Sequence, residues 1–147
     1  MIGIGSDHGG YALKKEIIAL LEEKGYAYKD FGCFDGAAID YPDVAKPVVE
    51  GILQGNIHRG ILICGTGIGI SIAANRNKGI RCALCSDHFS AIATREHNDA
   101  NILALGGRTT GPEVAKDIVL AFLTTEFSHD ERHQRRIDKI ENSFLYV

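Results

Sequence analysis

The chain is poor in proline, has no long apolar run and carries no excess of positive charge. Only 3 of its 147 residues are proline. Its 17 glycines follow no fixed period and sit between apolar runs. That pattern excludes collagen, flexible linkers and disordered low-complexity chains. No apolar stretch approaches the ~18–20 residues of a membrane span. The N-terminus reads MIGIGS, a strand-like start without the basic-then-apolar order of a secretory signal. Lys and Arg total 16 against 19 Asp and Glu, a net charge of −3. This balance excludes a protein built mainly to coat nucleic acid or an anionic membrane. No repeat, linker or biased segment appears, and Ser86-Asp87-His88 echoes Ser6-Asp7-His8 too briefly to mark a duplication. The 4 cysteines, without a signal segment, predict free thiols in a reducing cytoplasm.

What is present is ordinary for a soluble globular protein: 45% hydrophobic and 24% charged residues. The length predicts one domain over residues 1–147. Such a chain buries roughly 70% of its unfolded surface and needs no disulfide or metal to hold a core.

Strand-like and helix-like segments alternate. Strands are expected at Ile2–Gly5, Tyr26–Asp30, Gly60–Cys64, Ile80–Cys85 and Ile102–Leu105. Helices are expected over Tyr11–Lys24, Asp43–Gln54, Ile70–Asn75, from Ser86 or Asp87 to about His97, over Gly111–Thr124 and over Glu131–Ser143. Leu13, Ile17, Leu20 and Leu21 share one face of the first helix. Ile137, Ile140 and Phe144 form the apolar side of the last. Short apolar strands separated by helices predict an α/β fold, a three-layer α/β/α Rossmann-like sandwich around a five-stranded parallel sheet.

In such a sheet, ligands bind beyond the carboxyl ends of the strands. The unusual residues of this chain gather at strand borders. The first strand runs into Asp7-His8-Gly9-Gly10 and the third into Cys64-Gly65-Thr66-Gly67-Ile68-Gly69. The fifth is bracketed by His97-Asn98 and Gly106-Gly107-Arg108. Glycines at strand-to-helix turns let backbone N–H groups approach an anion, although any one such turn also serves tight packing. The dinucleotide fingerprint fails because its third glycine position is Ile70, and no Gly-Lys-Ser/Thr phosphate loop exists. A small anion, or a charge that develops during a reaction, suits the turns better.

Cys64 ends a strand directly before a glycine loop that opens a helix. A helix N-terminus favours an anion, and the thiolate is the reactive form of cysteine. A buried, inert cysteine fits the same position. Cys82 and Cys85 lie three apart on a strand, on opposite faces, which suits no metal site. Cys33 lies in a loop with no charged neighbour. Asp7-His8 offers two ionisable groups to a cleft, or a helix cap; Asp87-His88 reads as a cap. Arg132 and Arg136 share one helical face. They suit a phosphate, or a solvated face paired with Asp130, Glu131 and Asp138.

Together these residues resemble a family. The stretches GSDHGGY at 5–11, DYP at 40–42, ILICGTGIGISIAAN at 61–75, HNDAN at 97–101 and RHQRR at 132–136 are similar to those of the type B ribose-5-phosphate isomerases. Galactose and allose 6-phosphate isomerases belong to the same family. The resemblance implies an aldose–ketose isomerase that uses no cofactor and no metal. It implies that Cys64 moves the proton between C1 and C2, that Thr66 assists proton traffic between the substrate oxygens, and that the amides of Gly65, Thr66, Gly67, Ile68 and Gly69 hold the enediolate. It further implies ring opening by His97, sugar contacts from Asp7 and Asn98, a pocket wall at Tyr41, and phosphate binding by His8, Arg108, Arg132 and Arg136. Arg135 could take the place of Arg136. Sites in this family are shared across a homodimer, which implies dimer contacts for the helix at about 131–143 and leaves room for a dimer of dimers. A six-carbon sugar phosphate, or a binding role without catalysis, remain the alternatives.

Overall fold

The computed structural model describes residues 1–144. The elements follow in the order β1 (Ile2–Ser6), a 3-10 turn (His8–Gly10), α1 (Tyr11–Glu23), β2 (Tyr28–Asp30), α2 (Tyr41–Leu53), β3 (Arg59–Cys64), α3 (Ile68–Asn75), β4 (Cys82–Leu84), α4 (His88–Asn98), β5 (Ile102–Gly106), α5 (Pro112–Thr124) and α6 (Glu131–Ser143). The strands form one five-stranded sheet in the order β2-β1-β3-β5-β4. Every pairing is parallel. The α/β sandwich is therefore as expected.

Apolar patterning decides which faces are covered. Leu13, Ile17, Leu20 and Leu21 bury one side of α1 against Ile2, Ile4, Ile61 and Ile63 of the sheet, together with α5 residues Ile118 and Phe122. The opposite face packs Val48 and Val49 of α2 and Ile70 and Ala74 of α3 on Leu62, Ile102 and Ala104. Burial of a side chain of this size is worth about 1.5–3 kcal/mol. The three central strands are buried along their length, save Arg59 at the start of β3.

Several boundaries differ from expectation. β4 is not a buried strand over Ile80–Cys85 but a three-residue edge strand, and Leu84 is exposed. Its position outside β5 leaves one side without a partner strand among the described residues. α3 begins at Ile68 rather than Ile70 because Gly67, at φ +78°, caps it in the left-handed region. Ile137 is buried on α6, whereas Phe144 lies beyond the helix and is exposed, so the apolar side of α6 is shorter than its sequence suggests.

Candidate active site

Register brings three turns together. Ser6 pairs with Ile63 and Cys64 with Gly106, so β1, β3 and β5 end side by side. The backbones beyond them touch. A Cβ on Gly107 would lie 2.6 Å from the Gly9 carbonyl oxygen. The Gly107 N–H donates to the Cys64 carbonyl at 2.8 Å, and the Arg108 N–H to the Gly65 carbonyl at 2.9 Å. The β5 turn thus clamps the β3 turn. The glycines answer a packing demand, and the same packing holds several polar and ionisable side chains together. β1 and β3 flank the point where the chain reverses its direction across the sheet, the position where open α/β sheets bind ligands.

Cys64 is buried, and its Sγ accepts the Gly67 N–H at 3.1 Å. The Thr66 hydroxyl is exposed on the same turn and accepts the Ile68 N–H at 3.2 Å. Asp7 is buried and caps the 3-10 turn, its Oδ1 accepting the Gly10 N–H at 3.1 Å. Exposed His8 accepts the Ile39 N–H at Nδ1, at 3.4 Å. Tyr41 opens α2 with its ring against the loop, since a Cβ on Gly69 would lie 2.7 Å from Tyr41 Cζ. Exposed Arg108 leans over the β3 turn, with Nη1 3.4 Å from where a Gly65 Cβ would be. Asp7, His8, Tyr41, Cys64, Thr66, Gly65, Gly67, Ile68, Gly69 and Arg108 therefore share one edge of the sheet.

His97, Asn98, Arg132 and Arg136 are not brought to that edge. α4 follows β4 and runs back to the start of β5, so its last residues reach the amino ends of the strands. His97 stacks there on His133 of α6, with ring centroids 4.4 Å apart and planes 17° from parallel. Arg81 anchors this corner. It donates from Nε to the Asn98 carbonyl at 2.8 Å and from Nη2 to the Asp99 carbonyl at 3.0 Å, and it pairs with Glu141 of α6 at 2.7 Å. Arg132 and Arg136 are both exposed, and the Arg132 Nε lies 3.5 Å from Asp130 Oδ2. Arg135 lines an outer groove of α6 with Glu131, Asp138 and Lys139. This separates it from the face that holds Arg132 and Arg136. Bracketing β5 in sequence thus put His97-Asn98 and Gly107-Arg108 together, but one chain holds them at opposite edges.

Other candidates resolve differently. Asp87 is a cap, accepting the Ser90 N–H at 2.7 Å and the Ser90 hydroxyl at 2.9 Å. The Ser90 amide, and then its hydroxyl, hold the Asp87 carboxyl below its ordinary value. Burial pushes the Cys85 thiol up to about 11 and the Cys82 thiol up as well, which disfavours a thiolate at either. Cys33 does have a charged neighbour: buried Lys14 donates to its carbonyl and to Asp30 at 2.8 Å. Among the described residues no three His, Cys, Asp or Glu gather as a metal site, and no helix is long and apolar enough to cross a membrane.

Residues 2–140 match the model of the ribose/galactose isomerase family. The chain belongs to that family. It is an aldose–ketose isomerase. It is 47% identical to ribose-5-phosphate isomerase B of Escherichia coli over 95% of this chain and 93% of the relative. It is 41% identical to D-erythrulose-4-phosphate isomerase of Pectobacterium atrosepticum, over 90% of this chain and 98% of the relative. Its fold superposes on ribose-5-phosphate isomerase B of Clostridium thermocellum with a TM-score of 0.94 and 52% identity, covering 97% of this chain and 95% of that one.

The isomerase also contains supporting residues that its sequence motifs do not single out. Lys14 follows Leu13 and precedes Ile17 by three, a spacing that turns it inward; its place on the apolar face of α1 was the available signal. Arg81 gave no local signal, because its partners Asn98, Asp99 and Glu141 are distant in the chain. His133 was visible within the RHQRR stretch, but its partner on α4 was not.

Proposed function

We propose that this isomerase interconverts D-ribose 5-phosphate and D-ribulose 5-phosphate through a cis-enediolate, without a cofactor, and that Cys64 is the base. The observation that carries the reading is the Cys64 Sγ, buried at a strand end and held 3.1 Å from the Gly67 amide that caps α3. An amide donor at a helix N-terminus favours the thiolate. The thiolate takes the C2 proton of the open-chain aldose and becomes a thiol. The developing O1 charge meets backbone amides of the β3 turn. The Thr66 hydroxyl relays the O2 proton to O1, and the Cys64 thiol returns its proton to C1. A positioned base contributes about 10²–10⁴-fold. Each preorganised oxyanion donor contributes about 3–4 kcal/mol.

The same reading gives Asp7 a sugar hydroxyl, Tyr41 the pocket wall, and His8 and Arg108 the phosphate. It needs a second copy of the chain. His97, Asn98, Arg132 and Arg136 lie at the far edge of their own sheet, so they would serve the Cys64 of a partner. His97 would then open the furanose and the arginines would clamp the phosphate remote from the reacting carbons, where binding anchors the substrate for chemistry. Ile68, Ile72, Leu84 and Phe89 are 52%, 59%, 42% and 78% exposed around the β3 turn, an apolar surface suited to cover by a like chain.

The test is ribulose formation from ribose 5-phosphate by EDTA-treated protein, run beside allose 6-phosphate, galactose 6-phosphate and erythrulose 4-phosphate. Turnover fastest with ribose 5-phosphate is expected. A faster rate on another sugar reassigns the substrate, and no turnover on any overturns the enzymatic reading. Mixing Cys64→Ala with His97→Ala chains tests sharing. A shared site predicts about a quarter of wild-type activity, from hybrids with one intact site of two; none restored refutes sharing.

A further inference from the structure

We propose that His133 is a positioning residue for ring opening: stacked flat on His97, it fixes that imidazole relative to Arg132 and Arg136. The proposal rests on the reading that gives His97 the ring-opening role. Its ground is geometric. His97 lies half-buried in the last turn of α4, and its ring meets a second imidazole at 4.4 Å and 17°. His133 is buried, and with Ile137 it forms the inward face of α6. Arg136 follows His133 by three residues and so flanks the stacked ring, and the charges of both Arg132 and Arg136 reach it. Through one contact, the residue that would open the sugar and the residues that would hold its phosphate share a rigid frame. The Arg81–Glu141 pair at 2.7 Å closes the other end of the α4–α6 contact.

A stacked imidazole is a good support only while it is uncharged. Burial, then the charges of His97, Arg132 and Arg136, lower the His133 proton affinity against an opposing effect of Asp130. That direction favours the uncharged ring, the form that adds no positive charge to the stack.

Chemistry supplies a clean separation for the test. Ribose 5-phosphate is mostly a furanose, whereas ribulose 5-phosphate has its O5 blocked by phosphate and stays open. Enediolate formation from ribulose 5-phosphate exchanges a C1 proton with solvent and needs no ring opening. In His133→Ala, kcat for ribose 5-phosphate is expected to fall about 10- to 100-fold, as for other misplaced groups, while C1 deuterium exchange into saturating ribulose 5-phosphate in D2O stays near wild type. His133→Phe, which keeps a flat buried ring, is expected to restore the ribose 5-phosphate rate to within a few-fold. Unchanged ribose 5-phosphate turnover in His133→Ala overturns the proposal. So does equal loss of turnover and exchange, which would mark His133 as merely structural. So does failure of His133→Phe to rescue. Absence of both reactions in the wild-type protein would instead sink the isomerase reading of the site.

Discussion

Gly67→Ala tests the link between glycine geometry and the proposed base. Gly67 sits at φ +78°, and an added Cβ would lie 2.5 Å from Leu84 Cδ1 and 2.9 Å from the backbone carbon of Leu105. The left-handed conformation costs a non-glycine residue about 1–2 kcal/mol. Leu84 is an exposed side chain that can move, but the β5 backbone cannot, and overpacking of this kind costs about 1–3 kcal/mol. The sum is about 2–5 kcal/mol. At about 2–4 °C per kcal/mol for a chain near this size, the midpoint should fall by roughly 5–20 °C. The same shift displaces the amide that holds Cys64 Sγ at 3.1 Å, so kcat should fall about 10²-fold. Gly25→Ala is the control. Gly25 has φ +76° and nothing within 4 Å of its Cβ position, so only the conformational cost of about 1–2 kcal/mol applies and kcat should not change. Thermal unfolding at fixed protein concentration, with isomerase kinetics on the folded fraction, measures both. If Gly67→Ala matches Gly25→Ala in midpoint and rate, the geometry does not hold the thiol and the reasoning is refuted.

Three further outcomes are expected. Cys64→Ser keeps the shape but replaces the thiolate with a poor base, so turnover should drop at least about 10²-fold while titration of a bound sugar phosphate is retained; near-normal turnover removes Cys64 from its role. Asp30→Asn leaves the buried Lys14 ammonium without its 2.8 Å carboxylate partner and should destabilise by about 3–5 kcal/mol in denaturant unfolding. Lys14→Met should cost less because Asp30 is partly exposed and can hydrate; the reverse order would refute the account. His133 binds its proton less readily folded than unfolded, where 6.5 is its ordinary value. As pH falls below about 6.5 the unfolded chain gains a proton that the folded chain resists, so stability should decline from there downward. His133→Phe should flatten that slope, and an unchanged slope contradicts the assignment.

Sequence was most informative where structure is local. Apolar runs of four residues at Ile61–Cys64 and Ile102–Leu105 read as buried strands. Gly65 and Gly67 after a strand had to be a turn, and the capping of α4 by Asp87 was readable from residue type alone. The α/β class followed from these, as did the placing of Cys64, Asp7 and His8 at neighbouring strand ends. Boundaries failed where burial depends on neighbours: Ile80–Cys85 reads as a core strand, but the sheet places it at an edge.

Chain order could not say which strand ends would meet. β1, β3 and β5 become neighbours only through the order β2-β1-β3-β5-β4, and that order is settled by packing between residues tens of positions apart. His97 and Gly107 are close in sequence yet reach opposite edges, because a helix after a parallel strand must carry the chain back before the next strand begins. Lys14 with Asp30, Arg81 with Glu141 and His97 with His133 are likewise contacts of tertiary structure. The sequence by itself determined the layers, the turns and the chemistry-bearing residue types, which depend on local periodicity and on backbone conformation. Only the folded chain decided which of those residues share an edge, because that depends on direction and register across the whole sheet.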